Sequence, residues 1–156
     1  MLKINIPGFG KVALEHLVFD YNGTLAVNGE LIAGVKEKLN QLSSVVNIHI
    51  VTADTFGKAA AQLQDVSCKL HILLPENEDQ QKLDYIQKLG NDNAAAFGNG
   101  NNDQQMIRAA RVGIVVIEKE GCSGKTLQAA DIVVKSINDG LDLLLNPLRI
   151  KATVRF

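Results

Sequence analysis

Leu17-Val18-Phe19-Asp20-Tyr21-Asn22-Gly23-Thr24 is the stretch that decides the fold. An apolar run of strand composition ends in a carboxylate, and the chain then breaks into a Gly-Thr turn. A carboxylate at the carboxyl end of a central strand lies in the crevice where open α/β sheets bind ligands, and Gly23 lets backbone come close to such a ligand. On either side, short apolar segments alternate with stretches of helical period, the pattern of βαβ units and a mainly parallel sheet. Strands are expected at Leu14 to Phe19, Asn47 to Thr52, Leu70 to Leu73, Ala94 to Phe97, Val112 to Val116 and Ile132 to Val134. Between them Val35, Leu39 and Leu42 recur at helical spacing, as do Leu83, Ile86 and Leu89, then Met106, Ile107 and Ala110; these faces should pack on the sheet.

The 156 residues suit a single domain with one core. Its core should span about residues 14–146. Leu2, Ile4 and Ile6 alternate with polar residues before the turn-forming Pro7-Gly8-Phe9-Gly10, which predicts an N-terminal hairpin over residues 1–13 on the sheet edge. Ile150, Ala152, Val154 and Phe156 also alternate, which predicts an extended tail over residues 147–156 whose apolar side needs a partner, in this domain or a second copy. Asn28-Gly29, between Leu25-Ala26-Val27 and Glu30-Leu31-Ile32, is a strong two-residue hairpin signal.

The net charge of −1 and pI near 6.3 argue against a nucleic-acid partner, because affinity for a phosphate backbone is built from accumulated Lys and Arg. No apolar run is long enough for a membrane span, and the N-terminus lacks the plan of a signal peptide, so a cytoplasmic location is expected. Cys68 and Cys122 have no metal-ligand spacing and should be reduced thiols. His16, His49 and His71 lie in strand-like segments and read as structural side chains, with no zinc implied. Gly124-Lys125-Thr126 resembles the end of a nucleotide-binding P-loop, but position 119 is Lys where that loop needs its first glycine, so a helix start is the better reading.

Three further segments complete a set with the Asp20 turn. Val51-Thr52 ends the second core strand, Lys82 opens a helix, and Gly98-Asn99-Gly100-Asn101-Asn102-Asp103 follows the strand at Ala94. In this order the four resemble the haloacid dehalogenase superfamily, and their spacing fits its small cap-less branch, the soluble proteins similar to the phosphorylation domain of P-type ATPases. The resemblance covers about residues 14–146. It implies a three-layer Rossmann-like sandwich, a flap at the Asn28-Gly29 hairpin, and Mg²⁺-dependent phosphohydrolase chemistry through an aspartyl phosphate on Asp20. By the same resemblance Mg²⁺ is held by Asp20, the backbone carbonyl of Asn22, Asn99 and Asp103. Phosphate is bound by Gly23, Thr24, Thr52, Ala53 and Lys82, with Lys88 a lesser candidate for the lysine. A hydroxyl that can donate, a compact ammonium and a nest of amides are the groups an anionic phosphate needs. The segments from Leu25 to Asn47 and from Thr52 to Lys82 are filled by core elements, which leaves no room for a cap domain.

Two positions depart from the family pattern. The residue two after the nucleophile, an aspartate in the phosphatases, is Asn22; an amide cannot act as general acid and base, and losing that function typically slows a reaction by ~10²- to 10⁴-fold. Asn99 replaces a metal-binding aspartate and brings no charge. Slow turnover of a phosphorylated small molecule, nucleotides among them, or of a phosphorylated macromolecule is the leading reading, with a homo-oligomer as a further expectation. The alternative is a phosphate-binding or phosphoaccepting regulatory subunit with little or no turnover. A two-component receiver domain fits less well, since its acceptor usually lies on the third strand, behind an acidic pair on the first.

Overall fold

The computed structural model describes residues 1–156. An antiparallel pair, β1 (Leu2–Ile6) and β2 (Gly10–Leu14), precedes β3 (His16–Phe19). A short hairpin of β4 (Ala26–Val27) and β5 (Glu30–Leu31) follows, then α1 (Val35–Leu42), β6 (Asn47–Thr52), α2 (Ala59–Gln62), β7 (Lys69–Ile72) and α3 (Glu78–Leu89). The remainder is β8 (Ala94–Gly98), α4 (Gln104–Ala109), β9 (Val112–Val116), α5 (Gly124–Leu127), β10 (Ile132–Val134), α6 (Ile137–Leu145) and α7 (Pro147–Val154).

Six of the strands form one parallel sheet in the order β10-β9-β8-β3-β6-β7. The chain moves outward from β3 through β6 to β7, then returns to the other side of β3 and moves outward through β8, β9 and β10. The direction of winding therefore reverses between β3 and β8, the switch point at whose carboxyl end doubly wound sheets bind ligands. Asp20 follows β3 there and Asn99 follows β8. Apolar strand residues bury both faces, as a sheet covered by helices on two sides requires. Val35, Leu39 and Leu42 of α1 and Ile137, Leu141 and Leu144 of α6 share a core with Leu17, Phe19, Ile50, Phe97 and Ile114, while Ile86 of α3 and Met106 and Ile107 of α4 pack with Val18, Val51, Ala96 and Val115. The result is a three-layer α/β sandwich, and the segments after Leu25 and after Thr52 contain only core elements and no cap.

Four expectations change. The N-terminal hairpin forms, but β1 and β2 pair only with each other and add no strand to an edge of the central sheet. Glu15 interrupts the segment from Leu14 to Phe19: its amide donates to Asn93 and its carbonyl accepts from Asn47, which separates β2 from β3. The buried side chains of the hairpin, Ile6, Val12 and Leu14 among them, join the α1/α6 core.

The tail expected to be extended over 147–156 is instead the helix α7. Pro147 is suited to a first helical turn, and Ile150 and Val154, alternating by two in the sequence, are also four apart and share a helical face. Ile150 is buried in the α1/α6 core and Val154 packs against it. Lys82 does not open its helix either; α3 begins at Glu78 and Lys82 lies in the second turn. No helix is long and apolar enough to cross a membrane.

Candidate active site

Asp20 leaves β3 with its amide donating to Phe97 of the neighbouring strand, 2.9 Å, so its carboxylate is fixed at the switch point. The next residues wind into a tight loop in which the Tyr21 carbonyl accepts from Thr24, Leu25 and Ala26. Gly23 has φ +82°, a left-handed conformation that favours glycine, and a Cβ on it would lie 2.5 Å from Asn99 Nδ2 and 2.6 Å from a carboxylate oxygen of Glu120. After β8, Gly98 leaves room for the chain to curl back. A Cβ there would meet the Asp103 side chain at 2.5 Å.

Lys82 Nζ sits between two carboxylates, 2.7 Å from Asp20 Oδ1 and 2.6 Å from Asp103 Oδ1. All three side chains are buried, whereas Lys88 in the last turn of α3 is exposed. The head of α3 is tied to the Asp103 loop by Asn102 Nδ2 donating to Glu78 Oε2 (2.8 Å) and by Gln105 Nε2 donating to Asp79 Oδ2 (2.7 Å), which holds Lys82 at that depth. The remaining Asp103 oxygen accepts from the amides of Asn99 (3.0 Å) and Gly100 (2.9 Å). Thr24 Oγ1 lies 3.2 Å from Asp20 Oδ2 and 3.4 Å from Asn99 Oδ1.

Burial, and then the Asp103 charge beside it, raise the Asp20 carboxyl to about 6 against the opposing pull of Lys82 and Thr24. Burial alone would push the Lys82 ammonium down, but the two carboxylates outweigh it and hold the group above its ordinary range. Lysine is therefore charged at any working pH. Asp20 gains its charge on approaching neutrality.

The donors suit a hard divalent cation such as Mg²⁺, which takes oxygen ligands and retains several waters. Asp20 and Asp103 bring carboxylates. The Asn22 carbonyl accepts no hydrogen bond, and the buried Asn22 Oδ1 has no partner. Asn99 Nδ2 donates to the Gly121 carbonyl, 3.1 Å, which turns its Oδ1 toward Thr24 and Asp20. No three acidic, histidine or cysteine side chains converge closely enough to ligate one ion, so carbonyl oxygens and water would have to complete such a shell.

Thr52 ends β6, beside β3 and at the same pole, with its hydroxyl oxygen accepting from the Asp54 amide at 3.0 Å. The amides of Gly23 and Thr24, expected in a phosphate cradle, instead close the loop by donating to Ala26 and Tyr21. Those of Tyr21, Asn22 and Ala53 make no hydrogen bond and are the ones left to meet an anion. The Asn28-Gly29 hairpin forms as β4 and β5, with left-handed φ of 53° and 79° at its two turn residues. The buried Tyr21 phenol, pushed up to about 12 by burial, anchors its tip by donating to the Gly29 carbonyl at 3.0 Å.

Reading the sequence alone missed Tyr21 as an anchor, Asp54 as the cap that accepts from the amides of Lys58 and Ala59, and Glu120 at the mouth of the site. Glu120 lies in the loop beyond β9, and nothing in the sequence around it marks it apart from Glu118. Of the histidines read as structural, His16 and His49 are hydrogen-bonded in series, His16 Nδ1 3.0 Å from His49 Nε2 and His49 Nδ1 2.9 Å from the Tyr85 hydroxyl, while His71 is exposed on β7 with its ring against Tyr85. Cys68 and Cys122 are free thiols. Gly124 begins α5, a helix start rather than a phosphate loop.

The same architecture recurs in solved structures. A Legionella pneumophila chain assigned to the HAD superfamily, subfamily III A, superposes with a TM-score of 0.70 at 16% identity over 90% of this chain and 87% of that one. The 3-deoxy-D-manno-octulosonate 8-phosphate phosphatase from Moraxella catarrhalis, in complex with magnesium, phosphate and KDO, gives 0.65 at 17% identity over 85% and 86%. A zinc-transporting PIB-type ATPase gives 0.59 at 24% identity over 78% of this chain and 20% of the pump. These likenesses define the class: a haloacid dehalogenase-like fold without a cap. No family model matches the chain. Uncharacterized protein MJ0073 of Methanocaldococcus jannaschii is 48% identical over 83 residues, which are 51% of this chain and 89% of that protein, and the chain belongs to the same family.

Proposed function

We propose that the chain is a slow Mg²⁺-dependent phosphohydrolase that passes a phosphoryl group through Asp20. The observation that carries this reading is the buried Lys82 ammonium, hydrogen-bonded at once to Asp20 and Asp103 at the switch point. A phosphate ester resists a carboxylate because its oxygens are anionic, so positive charge must be gathered where the two meet. Lys82 supplies one fixed charge there, and the unengaged amides of Tyr21, Asn22 and Ala53 supply dipoles. Thr52 keeps a hydroxyl proton to donate, and Thr24 orients the Asp20 carboxylate. A bound Mg²⁺ would screen the anions further, held by Asp20, Asp103, Asn99 and the Asn22 carbonyl.

In the forward step an Asp20 oxygen attacks phosphorus, the P–O bond to the leaving group breaks, and the leaving oxygen departs with the bonding pair. In the second step a water oxygen attacks phosphorus, the P–O bond to Asp20 breaks, and inorganic phosphate leaves with the carboxylate restored. Asn22 can donate a hydrogen bond in either step but cannot give up or take a proton. Leaving groups of low pKa, such as aryl phosphates, need the least help in the first step. The second has no internal base and limits turnover.

Substrates are phosphorylated small molecules, nucleotides among them, or a phosphorylated macromolecule. The order and spacing of the four motifs support placement in the soluble P-type-ATPase-like branch, and the zinc-transporting ATPase shares the fold with a TM-score of 0.59. Free thiols and the lack of a spanning helix support a cytoplasmic location. A second reading, a phosphoaccepting regulatory protein, is favoured by Asn22, whose buried Oδ1 is unpartnered where a general base would be needed.

Phosphate release from a panel of aryl and nucleotide phosphates, with Mg²⁺ and an Asp20→Asn control, tests the proposal. Turnover well above the control is expected. Equal rates for the two proteins would overturn it, and stoichiometric phosphorylation of Asp20 without release would select the second reading.

A further inference from the structure

Asn99 and Glu120 meet across Gly23. The Cβ that Gly23 lacks would fall 2.5 Å from Asn99 Nδ2, 2.8 Å from Asn99 Oδ1 and 2.6 Å from Glu120 Oε2, so the amide and the carboxylate converge on one point at the rim of the Asp20 loop. The convergence is held from both sides. Asn99 Nδ2 donates to the Gly121 carbonyl at 3.1 Å, and the Asn99 carbonyl accepts from the Ser123 amide at 2.8 Å, which fixes the strand-to-helix loop that carries Glu120. An aspartate at position 99 could not make the first of these bonds, because its oxygen would face the Gly121 carbonyl without a proton.

Glu120 itself has no ion-pair partner and makes no hydrogen bond. Its neighbours in the loop are committed elsewhere or face away: Glu118 accepts from the Ile137 amide at 2.8 Å, and Lys119 is exposed. Charge points the same way. Asp20 and Asp103 around Lys82 leave a net charge of about −1, too little to neutralise a divalent cation without another carboxylate.

We propose that Glu120 is the third carboxylate of the cation site, acting from the outer sphere through water, and that Asn99 exchanges its own charge for the tether that positions it. The inference rests on the cation-dependent reading above, but it concerns affinity for the ion. Glu120 reaches the rim from the solvent side, its Oε2 2.6 Å from the point a Cβ of Gly23 would take, a position from which it can meet a metal-bound water rather than the ion. Glu120 is a charge-balancing residue, and Asn99 is the positioning one. Gly23 serves it by leaving the gap that its carboxylate faces.

Mn²⁺ binding followed by electron paramagnetic resonance, without substrate, tests this on the full chain. Glu120→Gln should weaken binding by about 10-fold, the usual scale for losing an outer-sphere partner, while Lys119→Gln leaves it within about two-fold. Mg²⁺ should restore the activity of Glu120→Gln fully at a higher concentration. Wild-type binding that is lost in Asp103→Asn yet unchanged in Glu120→Gln would overturn this inference alone. Absence of any Asp103-dependent Mn²⁺ binding in the wild type would overturn the cation reading with it. Glu120 is exposed, so folding of the Gln variant is expected and is checked by its thermal transition.

Discussion

On the α1/α6 side of the sheet, Phe19 and Phe97 stack with centroids 4.6 Å apart inside a core of 30 buried apolar residues; on the α3/α4 side that core shrinks to nine, and Lys82 and His49 are sealed within the same layer. Ala94 and Ala96 contribute the strand positions of the smaller core, where short side chains leave volume for polar ones. One face is a source of apolar burial that is indifferent to pH or cations. The other holds buried charge whose energy depends on both. The division keeps the strained electrostatics of the site on a layer whose loss of apolar area the opposite layer can offset.

Removing one side chain from each face should separate the two kinds of stability. Leu39→Ala, in α1, is expected to lower the unfolding free energy by about 2–5 kcal/mol, equally at pH 5 and pH 8, with turnover retained wherever the chain is folded. Lys82→Met leaves Asp20 and Asp103 buried together without their ammonium. Its cost of about 3–5 kcal/mol should appear in EDTA at pH 8 and shrink on acidification, as Asp20 takes up a proton. Its carboxyl is already raised to about 6 with Lys82 present, so without that lysine the window moves to higher pH. Turnover should fall by at least about 10²-fold. Denaturant titrations of both variants at the two pH values decide the matter, and a pH-independent deficit in Lys82→Met would contradict the account of that face.

Within the polar layer, Asn22 is the position where one atom should change the chemistry most. Asn22→Asp restores a group able to give and take a proton, and a gain of about 10²-fold in turnover is expected. The gain should be larger for alkyl than for aryl phosphates, because a poor leaving group depends more on protonation. Parallel rate measurements on the two ester classes test this. An equal gain, or none, would place the slow step outside proton transfer.

Much of this arrangement could be read in the sequence, and the reason differs by region. The four inner strands are buried on both faces and the edge strands keep short apolar runs, all punctuated by Gly, Asn and Asp, so composition alone located them within a residue or two. Asp20 was legible because it follows such a strand at once, and Asp103 because it closes the Gly- and Asn-rich loop that follows another. The tail misled because Ile150 and Val154 satisfy both a period of two and a spacing of four, and only packing against α6 and β1 decides between them. That the Gly23 and Thr24 amides close their own loop was not legible, since a loop's internal hydrogen bonds depend on its dihedral angles. Glu120 was out of reach because its meeting with Gly23 depends on how the loop after β9 folds over β8.

The smallest effect is also the one that sets two buried titratable groups, His49 and Asp20, against each other. His49, 1% exposed and held between His16 and the Tyr85 hydroxyl, is pushed down to about 4 by burial first and by His16 and Lys69 after it. It stays neutral in the folded chain while its unfolded counterpart charges below the model-peptide value of 6.5, so its contribution is complete above that pH and is lost as pH falls toward about 4. Asp20 has the opposite sign. With its carboxyl raised from 3.8 to about 6, its contribution is complete below 3.8 and is lost as pH rises through about 6. Between pH 4 and 6 the two oppose each other, and the apo wild type should show a shallow dependence of stability on pH. Asp20→Asn removes one side of that balance, so its stability in EDTA should fall by about 1–2 kcal/mol between pH 6.5 and pH 5. His49→Gln removes the other, and its stability should rise over the same interval by a similar amount. Identical pH slopes in the wild type and both variants would mean that neither group titrates as its surroundings dictate, and the contrast between the two faces would then rest on packing alone.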